Sequence, residues 1–459
     1  MSQGRQTRAL VAGVTAFALC FGAAGAMLWQ GDYLAGRLAG DPPTAWRPGS
    51  APAALAVLPA AQDGTLPDPA KVASAVTPLA SAAALGPNVT MHVIDVVTGQ
   101  VLAGKGSDTP TTPASTIKIT TAVAALKTFG PTHRFTTKVV AGSAPGQVVL
   151  VGAGDATIAG GATGRYPGAP SLTALAGQVK NALGGQAVTS VVVDATIFGE
   201  PRVGPWDSDI ATNGVVAPIT GLMADGGRVN PKDTAGSTRR YTDPDLAAGQ
   251  IFAKALGATG TVTRGTAPQG AAELGSVQSQ PLAHQVEFMI TDSDNVIAES
   301  LARHVAIKRG QPATFEGGGV AIRDAVGELG LPAAELTQVD GSGLARGDRV
   351  SPSLLAEIVA MAAKPEHPEL RALITGLAVA KYTGTLAERF AKPTIDAPGA
   401  VRAKTGTLRS VSGIAGVVTT KDGRLLAFAI LADNVPVGGT GPAQDALDKI
   451  AVALANCGC

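Results

Sequence analysis

The stretch PASTIKITTAVAALK, residues 113–127, decides how this chain is read. From Ser115 on, the apolar residues Ile117, Ile119, Val123 and Leu126 recur at helical spacing. At the start of a helix, positions i and i+3 share a face, so the Lys118 amine can reach the Ser115 hydroxyl. A nucleophile then stands beside a base. Partial burial against Ile117 and Ile119, and the positive end of the helix, both disfavour the ammonium and bring a neutral amine within reach. Taken alone, the motif reads better as an N-cap serine followed by a surface lysine, because the spacing arises easily by chance.

Two elements further along change that balance. Ser293-Asp294-Asn295 lies between two helical patterns, Leu282–Ile290 and Val296–Ile307. A short polar loop there can present a hydroxyl and an amide to a cleft, although by itself it reads as helix capping. Lys404-Thr405-Gly406-Thr407 lies in VRAKTGTL, an expected strand next to a second one, SGIAGVVTT. A lysine and hydroxyls on a strand can bind a carboxylate, and the glycine lets a ligand backbone approach closely. Other chemistries find less support. The five histidines are scattered, with no HExxH, and no serine sits in a GxSxG elbow. Gly152-Ala153-Gly154-Asp155-Ala156-Thr157 lacks the third glycine of a dinucleotide fingerprint, and no helix pattern follows it. No metal or organic cofactor is called for.

Composition narrows the function classes. The 459 residues carry 36 basic and 35 acidic side chains for a net charge of +1, so no chain-wide positive field exists to hold nucleic acid. The 10 Phe, 4 Tyr and 3 Trp offer little for stacking on single strands. Arg5 and Arg8 precede an uncharged apolar run, Ala9 to Gly31, that approaches the length of a bilayer span. Residues 1–31 therefore read as an export signal. Ala24-Gly25-Ala26 fits a cleavage site, but the apolar run continues past it, which favours an uncleaved membrane anchor over a secreted, cleaved form; either places the rest outside the cytoplasm. Residues 32–85, rich in Pro and Ala, read as a linker. Apart from Cys20, the cysteines are Cys457 and Cys459 at the C-terminal end, too few for a disulfide framework or a tetrahedral metal shell.

Strands on either side of the Thr98-Gly99 turn open the remaining chain, and three strands with a closing helix (Leu447, Ile450, Ala451, Leu454 on one face) end it. Between them, residues 141–270 have a different texture, with short β-branched runs and many Gly and Pro. The expected architecture is α/β and multi-domain. One domain, 86–140 with 271–459, holds an antiparallel sheet assembled from both chain ends and a helical lobe, and 141–270 is inserted into it.

Ser115-x-x-Lys118, Ser293-x-Asn295 and Lys404-Thr405-Gly406, in this order, are the set used by penicillin-binding proteins and serine β-lactamases. With the flanks VVVDATIF (191–198), DGSGLAR (340–346), VSP (350–352) and TGTL (383–386), the chain from about Asn88 to Leu454 resembles the class C low-molecular-mass penicillin-binding proteins, D-alanyl-D-alanine carboxypeptidase/endopeptidases of peptidase S13 type. The resemblance implies the penicillin-recognising serine transpeptidase/β-lactamase-like fold, with a mostly antiparallel five-stranded sheet. It implies catalysis by Ser115, Lys118 and Ser293, and substrate binding by Asn295, Lys404, Thr405, Gly406 and Thr407. It also implies that Asp194 and Arg346 contact the amino and carboxylate groups of a diaminopimelate side chain. The expected partners are peptidoglycan stem peptides, β-lactams as covalent inhibitors and, through residues 1–31, the membrane. GAGDATI (152–158) departs from a GGGDPTL-type stretch and leaves the details of the insertion open. A β-lactamase or esterase on the same scaffold, and a wall-binding module without turnover, are the alternative readings.

Overall fold

The computed structural model of the chain describes residues 64–392 and 397–458. The expected anchor and the first half of the expected linker lie outside these residues. The described chain opens with α1 (Pro69–Val76), β1 (Val89–Asp95), β2 (Val101–Lys105) and α2 (Lys118–Phe129). Then come β3 (Thr136–Ala141), β4 (Gln147–Val151), α3 (Leu172–Leu183), β5 (Ser190–Asp194), α4 (Ser208–Thr212), α5 (Pro244–Leu256), β6 (Val262–Arg264) and β7 (Glu273–Gln278). The helices α6 (Leu282–Thr291), α7 (Asn295–Lys308), α8 (Phe315–Gly327), α9 (Pro352–Ala363) and α10 (Arg371–Gly376) follow. The chain closes with β8 (Ala378–Val379), β9 (Val401–Leu408), β10 (Val411–Thr419), β11 (Leu425–Ala432) and α11 (Thr440–Ala455).

The two ends of the described chain share one sheet of order β2-β1-β11-β10-β9-β8, antiparallel throughout. Met91 faces Ile430, so the first strand pairs with the last. Five of the strands are those the sequence predicts. The sixth, β8, is two residues long, too short to leave an alternating pattern. All eight residues of β11 are buried, because α9 packs on the sheet and α11 covers it with Leu447, Ile450, Ala451 and Leu454. Each fully buried Leu or Ile contributes about 1.5–3 kcal/mol.

The linker expected to run to residue 85 stops sooner. Asp68 caps α1 by accepting a hydrogen bond from the Ala70 N–H at 2.7 Å, and Val72 and Val76 are fully buried in the same cluster as Leu447 and Ile450. Two valines in an Ala- and Pro-rich run are too few to register as a period. The insertion is wider than expected. Its five-stranded sheet, β6-β5-β4-β3-β7, runs from Thr136 to Gln278, so the expected limits 141 and 270 cut off the paired strands β3 and β7. Pairs β4–β5 and β5–β6 are parallel, with α3 and α5 as the crossovers that parallel neighbours require.

Helices α2, α6, α7 and α8 form the helical lobe. The sequence Gly317-Gly318-Gly319 hides α8 from propensity reasoning, yet the packing demands it. A Cβ on Gly319 would lie 1.8 Å from the Gln338 carbonyl oxygen, and one on Gly317 2.0 Å from that of Pro312. Among the described residues no helix is long and apolar enough to cross a membrane.

Candidate active site

Ser115 sits in a 3-10 turn, Ala114–Ile117, that runs directly into α2, so Lys118 is the first residue of the helix proper. Ala114 takes a left-handed φ of 48°, a conformation that costs a non-glycine residue about 1 kcal/mol or more. What holds it is the loop 340–346. Gly343, at φ 83°, passes so close that a Cβ there would lie 2.0 Å from the Ala114 carbonyl oxygen. On the other side lies β9, where a Cβ on Gly406 would come within 2.4 Å of the Pro113 carbonyl oxygen. The two glycines thus let a loop and a strand close on the serine turn.

The Lys118 ammonium is fully buried and donates three hydrogen bonds: to Ser115 Oγ at 2.8 Å, Asn295 Oδ1 at 2.7 Å and the Ser342 carbonyl at 2.5 Å. Burial pushes its pKa from 10.5 down to about 8, against the pull of Asp340, Glu299, Asp294 and Asp348. Burial and the Asp340 charge push Glu299 up to about 8. Both causes favour the neutral carboxyl of Glu299 and so weaken its pull on the ammonium. The neutral amine is accessible near pH 8.

Two of the three acceptors are fixed from behind, and so is the neighbouring Asp294. Asn295 opens α7, and its Nδ2 donates to the Val215 carbonyl of the insertion at 3.0 Å, which turns Oδ1 towards Lys118. The Ser342 carbonyl belongs to a loop wrapped around the buried Asp340 carboxylate. That carboxylate accepts from the N–H groups of Ser342 (3.0 Å), Gly343 (2.5 Å) and Ala345 (2.9 Å), and from Trp206 Nε1 at 2.7 Å. Asp294 accepts from the Val296 and Ile297 N–H groups and from the Tyr166 hydroxyl at 2.8 Å, with Arg228 Nη2 at 3.5 Å. Burial works against its charge, but Arg228 and Arg240 pull its pKa below the ordinary value.

These groups open onto a cleft of about 660 Å³, lined among others by Ser115, Ser293, Asn295, Thr385, Thr405 and Thr407. Ser293 takes a left-handed φ of 57° at the turn between α6 and α7. Of the expected site residues, Ser115, Lys118, Ser293, Asn295, Thr405, Gly406 and Thr407 converge here. Lys404 stays behind the wall. It is fully buried, its Nζ donates to the Thr405 carbonyl at 2.7 Å, and burial with the nearby Lys118 charge holds its pKa well below the usual range.

Asp194 and Arg346 are not brought together. Asp194 ends β5, and its carboxylate accepts from Thr196 N–H and Oγ1 and from the Ala267 N–H. One oxygen serves the turn after its own strand, as expected for an aspartate that ends a strand, and the other is spent on the connection after β6. Arg346 instead grips Asp207, with Nε 2.8 Å and 3.1 Å from the two oxygens, in a separate hollow with Asp209 and Arg409. The sequence reading did not single out Ser342, Asp340, Trp206, Val215 or Asp207. The one signal for Trp206-Asp207 is a tryptophan, one of three in the chain, in a polar Gly/Pro-rich segment.

Comparison with known proteins follows the same geometry. Residues 72–239 and 231–456 match the model of the D-Ala-D-Ala carboxypeptidase 3 (S13) family. A carboxypeptidase of Mycobacterium tuberculosis is 38% identical over 438 residues, covering 94% of this chain and 92% of that protein. The D-alanyl-D-alanine carboxypeptidase of an Actinomadura species is 28% identical over 451 residues, covering 79% and 80%. The crystal structure of penicillin binding protein 4 from Haemophilus influenzae shares the fold, with a TM-score of 0.68 at 21% identity over 84% of this chain and 98% of that one; it has also been solved with a β-lactam. A buried lysine on a serine, set in a fold shared with a penicillin-binding protein, agrees with the family match along most of the described chain: the protein belongs to the D-Ala-D-Ala carboxypeptidase 3 (S13) family of class C penicillin-binding proteins.

Proposed function

We propose that the protein is a serine D-Ala-D-Ala carboxypeptidase and endopeptidase that trims peptidoglycan stem peptides outside the cytoplasm. The observation that carries this reading is the 2.8 Å contact between a buried, pKa-depressed Lys118 and Ser115 Oγ. As the neutral amine takes the serine proton, Oγ attacks the carbonyl of the penultimate D-alanine. The C–N bond then breaks. Ser293 passes the proton from Lys118 to the leaving amine, which departs as D-alanine or as a cross-linked peptide. Water, deprotonated by the same amine, attacks the ester and frees Ser115. The N–H groups of Ser115 and Thr407 serve the oxyanion, where charge develops in the transition state.

Thr405 and Thr407, with hydroxyls on the cleft, receive the terminal carboxylate. Lys404 acts from behind the strand, and Asn295 holds Lys118 with one end of its amide while the other end faces the insertion and the substrate. Arg346, paired with Asp207 instead of Asp194, takes the head group of the diaminopimelate side chain. The insertion, bounded at 136 and 278, then shares one substrate with the main domain. β-Lactams acylate the same serine, and residues 1–31 tether the enzyme to the membrane. Incubation with purified muropeptides and mass analysis of the products tests the reading. Loss of one D-alanine per pentapeptide, with splitting of cross-linked dimers, is expected, and unchanged muropeptides beside a hydrolysed β-lactam would replace it with the β-lactamase reading.

A further inference from the structure

The charges along the cleft do not balance. Four arginines line it, Arg165, Arg228, Arg240 and Arg389. Arg165 pairs with Asp292 at 2.7 Å, Arg228 reaches Asp294 at 3.5 Å, and Arg389 pairs with Asp448 from α11. Arg240 donates its hydrogen bonds to carbonyls, Nε to Gly214 O at 3.2 Å and Nη1 to Gly226 O at 2.7 Å, and the Asp294 charge, already engaged by Arg228, acts on it only from a distance. Among the described residues no carboxylate lies within ion-pair distance of it. A half-buried guanidinium beside another cation is costly, and burial together with Arg228 holds its pKa below the ordinary value. The two carbonyls fix the plane of the side chain, which reduces the entropy lost on gripping a ligand. Gly214 is also the neighbour of Val215, whose carbonyl orients Asn295, so this cation stands on the insertion's wall next to the catalytic amide rather than on β9 with Thr405 and Thr407.

We propose that Arg240 is a second carboxylate-binding point of the cleft, taking a carboxylate of the peptide substrate other than its C-terminal one. The inference rests on the peptidase reading above and adds to it one contact on the insertion's wall, to a carboxylate that is neither the C-terminal one nor the diaminopimelate head group given to Arg346. The second carboxylate belongs either to the strand that acylates Ser115, upstream of the D-alanines, or to the leaving strand of a cross-link. Two arms separate these sources. In the first, kcat/KM for D-alanine release is compared between a D-alanyl-D-alanine peptide with a free upstream carboxylate and the same peptide with that group as the primary amide. In the second, cleavage is compared for a cross-linked dimer whose leaving strand carries an additional carboxylate, free or amidated.

The expected result is a preference of about tenfold for the free acid in one arm, as for a charge-assisted hydrogen bond. That preference should fall to about one in Arg240→Gln and survive in part in Arg240→Lys. Uptake of benzylpenicillin on Ser115 identifies the variants whose site is folded. If Arg240→Gln is not folded, the wild-type ratio together with that of Arg240→Lys decides. Ratios near one in both arms for the wild type, or an undiminished ratio in folded Arg240→Gln, overturn the proposal while leaving the peptidase reading intact. A wild type that takes up no penicillin and releases no D-alanine from either peptide overturns both.

Discussion

Lys118 is the residue on which the chemistry turns, and its environment makes a signed prediction about pH. With a pKa of about 8, only roughly a tenth of the molecules hold the neutral amine at pH 7. The rate of acylation should rise about tenfold per pH unit below that value and level off above it. Stopped-flow or quenched acylation by a chromogenic β-lactam between pH 5.5 and 9 reads this directly, and a flat profile would remove the lysine from the base role. Lys118→Ala should lower the rate by about 10²–10⁴-fold. A second prediction separates the two residues first taken for one pocket. Arg346→Ala should reduce turnover of diaminopimelate peptides while penicillin acylation continues, whereas Asp194→Ala, which frees the Thr196 and Ala267 N–H groups, should lower the melting temperature and slow both substrates. Equal effects of the two substitutions on every readout would refute this division. The first-chosen residues Ser115, Lys118, Ser293 and Asn295 were legible because their types and spacings carry the chemistry. Ser342 was not, since it contributes a backbone carbonyl, and neither was Asp207, whose role depends on a partner 139 positions away.

At the level of elements, α8 shows what local propensity hides. Replacing a helical glycine by alanine ordinarily gains up to about 1 kcal/mol. Gly319→Ala should do the reverse, losing about 1–3 kcal/mol in urea denaturation, because its Cβ would meet the Gln338 carbonyl at 1.8 Å. Gln338 also hydrogen-bonds Thr120 and Thr121 beneath the serine turn, so acylation should slow with the loss of stability. A more stable Gly319→Ala protein would contradict the packing. The same reasoning explains which elements the sequence revealed. The strands β9, β10 and β11 are buried in runs of eight or nine residues, and the helix α11 buries one face over sixteen. The helix α1 buries only two valines, β8 is two residues long, and the buried face of α8 is largely glycine and alanine, so their apolar signal is weak.

For the described molecule as a whole, the first helix α1 and the last helix α11 belong to one core. A protein starting at Gly64, whose carbonyl accepts from Arg424 at 3.2 Å, should fold and retain penicillin uptake. One starting at Pro78 lacks α1 and strips Val72 and Val76 from the cluster around Leu447 and Ile450, at a cost of about 3–5 kcal/mol. Equal melting temperatures for the two truncations would show that α1 does not belong to the fold. The insertion is tied in as firmly, through Trp206 to Asp340 and through Val215 to Asn295, so that the catalytic lysine is positioned jointly by both parts of the chain. The central claim, that Ser115 forms the acyl-enzyme, is tested most directly by incubating the protein with benzylpenicillin and mapping the adduct by peptide mass spectrometry. A single adduct on the peptide containing Ser115, absent in Ser115→Ala, is the predicted result; an adduct on another residue, or one that persists in Ser115→Ala, would contradict it.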